Sequence, residues 1–196
     1  REPEAIACEI AQVAGAGRWE PAASRAFRIK KEAGGERLIA VLPPRDYLLH
    51  KALHGALSPW LDRAFEPVSV GYRPGITPEA VRARIRAAYR EGRGWALRAD
   101  IEEFFDQVDW AILAGKVRAV LPRADTAALA LLDTLVRAPL ELNGVPLPRS
   151  AGLVQGSPLS PLLANLYLDG FDEEMTRRGL CHVRFADDLL VLCRTE

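Results

Sequence analysis

The 196-residue chain is 49% hydrophobic and 27% charged, and its 26 Lys and Arg balance 26 Asp and Glu to a formal net charge of zero. No uninterrupted apolar run approaches the ~18–20 residues of a membrane-spanning helix, no secretory leader pattern opens the sequence, and Cys8, Cys181 and Cys193 form no C-x-x-C pair or Cys/His cluster, so neither a zinc site nor a disulfide framework is implied and a soluble, cytoplasmic chain of one domain or two joined subdomains is expected. The charge is unevenly placed: residues 1–99 carry 17 Lys and Arg against 11 Asp and Glu (+6), residues 100–196 carry 9 against 15 (−6), which reads as scattered surface charge or as a polyanion-gripping half joined to a cation-binding half.

From the N-terminus, residues 3–13 read as a short helix. In "FRIKKEAGGERLIAV", residues 27–41, two strand-like runs flank Gly34-Gly35, a hairpin signal with basic residues on both arms. Pro43 and Pro44 then suit a helix entrance, and Leu48, Leu49, Ala52, Leu53 and Leu57 recur at helical spacing, predicting a core helix. His50 and His54 lie four apart on one of its faces, but no third ligand accompanies them. A loop with two glycines leads to a helix signalled by Thr77 as N-cap, Pro78 at the first position, Glu79 in the first turn and Gly92 at the end. Val81, Ile85 and Ala88 would face inward; Arg82, Arg86 and Arg90 would line a solvated or phosphate-tracking side.

Residues 94–100 read as a strand ending at Asp100, followed by a loop and helix. Asp125 caps a further buried helix, and Asn143-Gly144 is the strongest two-residue hairpin signal in the chain. Prolines in "GSPLSP" open a helix with Leu159, Leu162, Leu163, Leu166, Tyr167 and Phe171 at apolar positions, ending at Gly179. "CHVRF" and "LLVLC" are two strands flanking "ADD". Helices mixed with hairpin-linked strands make the class α+β.

Asp is disfavoured on the pleated surface of a strand, so Asp187 and Asp188 in the middle of "RFADDLLVLC" imply a tight turn between two strands. A solvated polar turn would account for that pair alone. Asp100, at the end of another strand, favours a second reading. Three carboxylates converging on one sheet edge repel one another unless divalent cations lie between them, and hard oxygen ligands suit Mg²⁺. Two such ions about 3.5–4 Å apart can clamp the attacking and leaving oxygens of an in-line phosphoryl displacement. Asp106 and Asp109 read as helix-start and surface carboxylates.

The order of segments resembles the reverse transcriptases: the basic hairpin "KKEAGGERLIAVLPPRD", the loop "GYRPG", "ADIEEFFDQVDW", "GLVQGSPLSPLLANLYLD" and "FADD". The resemblance covers residues 27–196 and implies a polymerase right-hand fold of fingers (1–98) and palm (99–196), with a fingers-like helix and hairpin at about 120–150 and no thumb in this chain. It implies RNA-directed DNA synthesis with two Mg²⁺, or Mn²⁺ as a substitute, held by Asp100, Asp187 and Asp188. It further implies Lys30 and Arg37 as cations for the incoming triphosphate, Phe105 as the aromatic gate against a 2′-hydroxyl, and Gln155 and Gly156 as the loop against the nucleotide. Arg73 would contact template or fingers. Phe185 stands where the family usually has Tyr.

Partners implied are an RNA template, a DNA or RNA primer and deoxynucleotide triphosphates, with no membrane. Within the family, "GYRPG", "ADIEEFFDQVDW" and "QGSPLSPLLANLYLDGFDEEM" look similar to the group II intron lineage, most of all to the reverse transcriptases linked to the CRISPR integrase. The implied role there is making DNA from RNA for spacer acquisition. Intron maturases, retrons and diversity-generating elements remain alternatives, as does a catalytically silent RNA-binding scaffold. An RNA-templated RNA polymerase is disfavoured by the bulk of Phe105.

Overall fold

The computed structural model describes residues 3–30, 34–122 and 125–195. In chain order these form α1 (Pro3–Gly15), β1 (Ser24–Lys30), β2 (Glu36–Val41), α2 (Pro44–Leu61), α3 (Pro78–Arg90), β3 (Trp95–Asp100), α4 (Phe104–Gln107), α5 (Trp110–Val120), α6 (Thr126–Val136), β4 (Leu140–Leu142), β5 (Val145–Leu147), α7 (Ser160–Arg177), β6 (Cys181–Phe185) and β7 (Asp188–Cys193). The α+β class expected from the sequence is what folds. Residues 31–33, in the predicted basic hairpin, lie outside the described residues.

Local chemistry sets most boundaries. Thr77 accepts a hydrogen bond from Ala80 N–H at the start of α3, with Pro78 at its first position. The segment after β3, read as one loop and helix, contains two helices. Glu103 precedes α4 at φ 50°, and Val108 is extended, so α5 restarts at Asp109, whose carboxylate accepts from Ala111 and Ile112 N–H. Asp125 caps α6 through Ala128 N–H. Asn143 and Gly144 both have positive φ, the type I′ pattern, between β4 and β5.

Two sheets result. One has strand order β2-β1-β4-β5, antiparallel except for the parallel pair β1–β4, in which Ser24 meets Leu140. The other is antiparallel, in order β3-β7-β6, and residues 68–70 extend it through Val70 N–H to Arg184 O (2.8 Å) and Arg184 N–H to Val68 O (2.9 Å). The main core gathers Leu49 of α2, Leu113 and Val117 of α5, Leu132 and Leu135 of α6, and Leu162 and Leu163 of α7. Each fully buried leucine contributes roughly 1.5–3 kcal/mol. Leu48, expected on the core face of α2, is 50% exposed, because the inward stripe runs through Leu49, Leu53 and Leu57 instead.

Candidate active site

β3 and the β6–β7 hairpin end at the same edge of the second sheet. The hairpin closes with Phe185 opposite Asp188, leaving Ala186 and Asp187 as its two turn residues. Ala186 has φ 56°. Positive φ at the first turn position alone is the type II′ pattern, which glycine usually fills; for alanine it stores strain of about 1–3 kcal/mol. Three contacts hold the turn in place. Arg184 Nη1 donates to Ala186 O (2.8 Å), Ile101 N–H donates to Asp187 O (3.3 Å), and Gly71 lies so close that a Cβ there would be 2.6 Å from Ala186 N.

Arg184 is the centre of that support. It is 1% exposed, and its guanidinium donates to both oxygens of Asp172 on α7, to Asn165 Oδ1, to Ser69 Oγ and to Ala186 O. Asn165 Nδ2 reaches Gly71 O at 2.8 Å, so helix, turn and the 69–71 segment share one network. Burial pushes the Asp172 carboxyl up, but its His182 and Arg184 neighbours outweigh that and hold it below the usual carboxylate range. His182 is fully buried; its Nε2 lies 3.8 Å from Asp172 Oδ1, beyond hydrogen-bond reach, and has no hydrogen-bond partner. Nothing in the sequence reading singled out Arg184, Asp172, Asn165 or Ser69. The available signal was an arginine inside the apolar run "CHVRF", as anomalous there as the aspartates.

Of the three predicted carboxylates, Asp100 and Asp188 are register partners across β3 and β7. Because Ile101 and Asp187 form the neighbouring hydrogen-bonded pair, Asp100 and Asp188 occupy a non-hydrogen-bonded pair, with Cβ atoms roughly 4.5–5.5 Å apart on one face. Asp187 adjoins them in the turn rather than on that face. The expected convergence of three is therefore met by two on one face. Asp188 is also engaged: Arg98 Nε donates to its Oδ1 (2.9 Å) and Nη2 to its Oδ2 (2.6 Å). This guanidinium holds the Asp188 carboxyl below its usual range, and the Arg98 pKa rises in turn. Among the described residues no three acidic, His or Cys side chains are grouped closely enough to hold an ion. The donor chemistry, hard carboxylate oxygens at an accessible sheet edge, nevertheless fits Mg²⁺ or Mn²⁺.

The remaining predicted residues are placed as follows. Lys30 pairs with Glu36 and Ile29 with Arg37, so by strand alternation Lys30 and Arg37 rise from opposite faces of the β1–β2 ribbon, against the expected joint grip. Arg37 instead lines a crevice of about 470 Å³ that also holds Arg28, Arg149, Asp106 and Gln155. Phe105 is half-buried, edge-on to Phe104 at 5.6 Å and packed against the core. Gln155 O accepts from Ala40 N–H at 2.7 Å, and Gly156, at φ 117°, has no room for a Cβ against Ala40 O. The close approach that demands glycine is thus to β2. Arg73 is not available for template: its side chain is 10% exposed and donates to Asp62 Oδ1, Asp62 O, Glu66 O and Ser69 O. Among the described residues His50 and His54 are not joined by a third ligand. His50 is buried, and its Nδ1 lies 2.7 Å from Ser157 Oγ.

No helix among the described residues is long and apolar enough to cross a membrane. Residues 29–196 match the family described as Reverse transcriptase (RNA-dependent DNA polymerase). The retron Mx65 reverse transcriptase of Myxococcus xanthus is 31% identical over 83% of this chain and 39% of its own length. The group II intron-encoded protein LtrA of Lactococcus lactis is 29% identical over 76% of this chain and 24% of its own. Among solved structures, a partial Cas6-RT-Cas1–Cas2 complex contains a chain 31% identical to this one, with a TM-score of 0.57, over all of this chain and 34% of that one. The chain thus spans less than half the length of these relatives.

Proposed function

The chain belongs to the reverse transcriptase family, and from that premise we propose that it carries the nucleotidyl-transfer site of an RNA-directed DNA polymerase. The observation that supports this most directly is the pairing of Asp100 with Asp188 at one sheet edge, with Asp187 in the adjoining turn. Asp100, Asp187 and Asp188 would hold two Mg²⁺, or Mn²⁺ in their place, which when bound supply charge neutralisation for the phosphates and a more acidic primer hydroxyl. In the reaction the primer 3′-oxygen loses its proton and bonds to the α-phosphorus of a deoxynucleotide triphosphate, and the bond from that phosphorus to the β-phosphate oxygen breaks, releasing pyrophosphate. Arg37, which shares its crevice with Gln155, binds the triphosphate from the β1–β2 ribbon, and Lys30, on the opposite face, adds only to the positive charge of that ribbon. Phe105, braced by Phe104, excludes a 2′-hydroxyl, and the Gln155–Gly156 loop fixes the ribbon relative to the nucleotide. Residues 1–98 act as fingers and 99–196 as palm.

The biological setting proposed is DNA synthesis from RNA for spacer acquisition beside a CRISPR integrase, supported by the likeness to the chain in the Cas6-RT-Cas1–Cas2 complex over the full length of this one. The retron and intron relatives support the neighbouring setting of a mobile-element enzyme. One observation favours a silent RNA-binding scaffold: the Arg98 guanidinium already occupies Asp188. Primer extension on an RNA template with Mg²⁺, using the full-length protein and its Asp187→Ala variant with deoxy- or ribonucleotides, separates these readings. Deoxynucleotide incorporation that falls at least 10²-fold in the variant is expected. Extension that survives Asp187→Ala would discard the metal site, and no extension by either protein would favour the scaffold.

A further inference from the structure

Asp100, Asp187 and Asp188 crowd one sheet edge, and like charges directly opposite across an antiparallel pair destabilise it. The fold supplies its own cation there. Arg98 lies two residues before Asp100 on β3, hence on the same face, and its fork meets both oxygens of Asp188. The Arg98 side chain is 76% exposed, and that of Asp188 39%. The pair lines a cleft of about 430 Å³ together with Pro78, Val81 and Ile85, but Arg98 is exposed enough for its guanidinium to swing into solvent when something displaces it.

We propose that Arg98 is a positioning residue that competes with the divalent cation for Asp188, setting how tightly the metal binds. This rests on the metal-site reading of Asp100, Asp187 and Asp188. The guanidinium neutralises the sheet edge before the metal arrives and keeps the turn from splaying. A divalent cation takes Asp188 only by breaking two charge-assisted hydrogen bonds, so each binding event is discounted by the strength of that ion pair. An exposed pair of this kind is weak enough for a divalent ion to displace, and strong enough to register in the affinity.

The test is Mn²⁺ binding measured by water-proton relaxation, which needs no turnover, on wild type, Arg98→Ala, Arg98→Lys, Asp188→Asn and the Arg98→Ala/Asp188→Asn double variant. Thermal unfolding confirms that each is folded. Arg98→Ala is expected to bind Mn²⁺ roughly threefold to tenfold more tightly than wild type. Arg98→Lys, which keeps the charge but not the fork, should fall between them. In the Asp188→Asn background the Arg98→Ala gain should shrink towards none. Unchanged or weaker binding in Arg98→Ala overturns the proposal, as does an equal gain in both backgrounds, which would make Arg98 a distant charge only. Asp100→Asn separates the two levels of inference. If wild type binds Mn²⁺ and Asp100→Asn binds it no worse, the metal-site reading falls and the proposal with it; if Asp100→Asn weakens binding but Arg98→Ala changes nothing, only the proposal falls.

Discussion

Single atoms decide several positions. A Cβ at Gly156 would collide with Ala40 O at a backbone angle of φ 117°, whereas Gly75, at φ 79°, has nothing within 4 Å of its would-be Cβ. Gly156→Ala should therefore cost about 2–3 kcal/mol and Gly75→Ala about 1 kcal/mol, read as the shift in urea midpoint. Arg184 poses a charge problem instead. Arg184→Met leaves Asp172 ionised with no exposed surface, which should cost about 3–5 kcal/mol, and adding Asp172→Leu should recover part of that loss. Chemical denaturation of the two single variants and the double tests this; equal losses in all three would deny the coupling. The sequence made Asp187 and Asp188 legible because carboxylates in a strand-like run are anomalous. Arg184 was equally anomalous in "CHVRF", but the sequence concealed its partners, Ser69 and Asp172, which lie 115 and 12 residues away.

At the scale of elements, the "QGSPLSP" stretch ties neighbouring parts together. Gln155 O bonds β2, Ser157 Oγ accepts from Leu159 N–H, and Ser160 Oγ donates to Val154 O. With its acceptor role towards Leu159 filled, the Ser157 hydroxyl has its proton for His50 Nδ1 on α2, which suits a neutral imidazole. Burial pushes the His50 pKa down to about 4, with Asp46 partly opposing it. Between pH 4 and the unfolded value of 6.5 the unfolded chain binds more protons, so stability rises with pH across that window and is complete above it. His50→Gln should flatten that rise, which amounts to up to about 3 kcal/mol, in denaturation midpoints taken from pH 4 to 7. Most helices and the two glycine-marked hairpins were readable from caps, prolines and glycines, since those signals are local, whereas the break between α4 and α5 was not. The parallel pairing of β1 with β4 was not, because its partners are far apart in the chain and short strands carry no register of their own.

For the molecule as a whole, the +6 half contains the ribbon with Arg28, Lys30 and Arg37, and the −6 half contains the sheet-edge carboxylates Asp100, Asp187 and Asp188. The proposed binding of single-stranded RNA should weaken linearly in log–log terms with salt, and replacing Lys30 and Arg37 together should lower the slope by about 1–2. Fluorescence anisotropy from 50 to 400 mM salt measures it, and an unchanged slope would remove the ribbon from the RNA path. The opposite signs were countable in the sequence, but which carboxylates share a face depended on the β3–β7 register. β3 is exposed along its length, with Trp95 and Leu97 on its surface, and it waits for a partner: Arg98 and Asp188 are 90 residues apart in the chain. At roughly 5–20 residues per second, a ribosome leaves that edge unpaired for roughly 5–18 s. During synthesis the segment bearing Asp100 is thus a bare, sticky strand, and slowing elongation across that interval should raise the share of chains captured by chaperones or lost to aggregation.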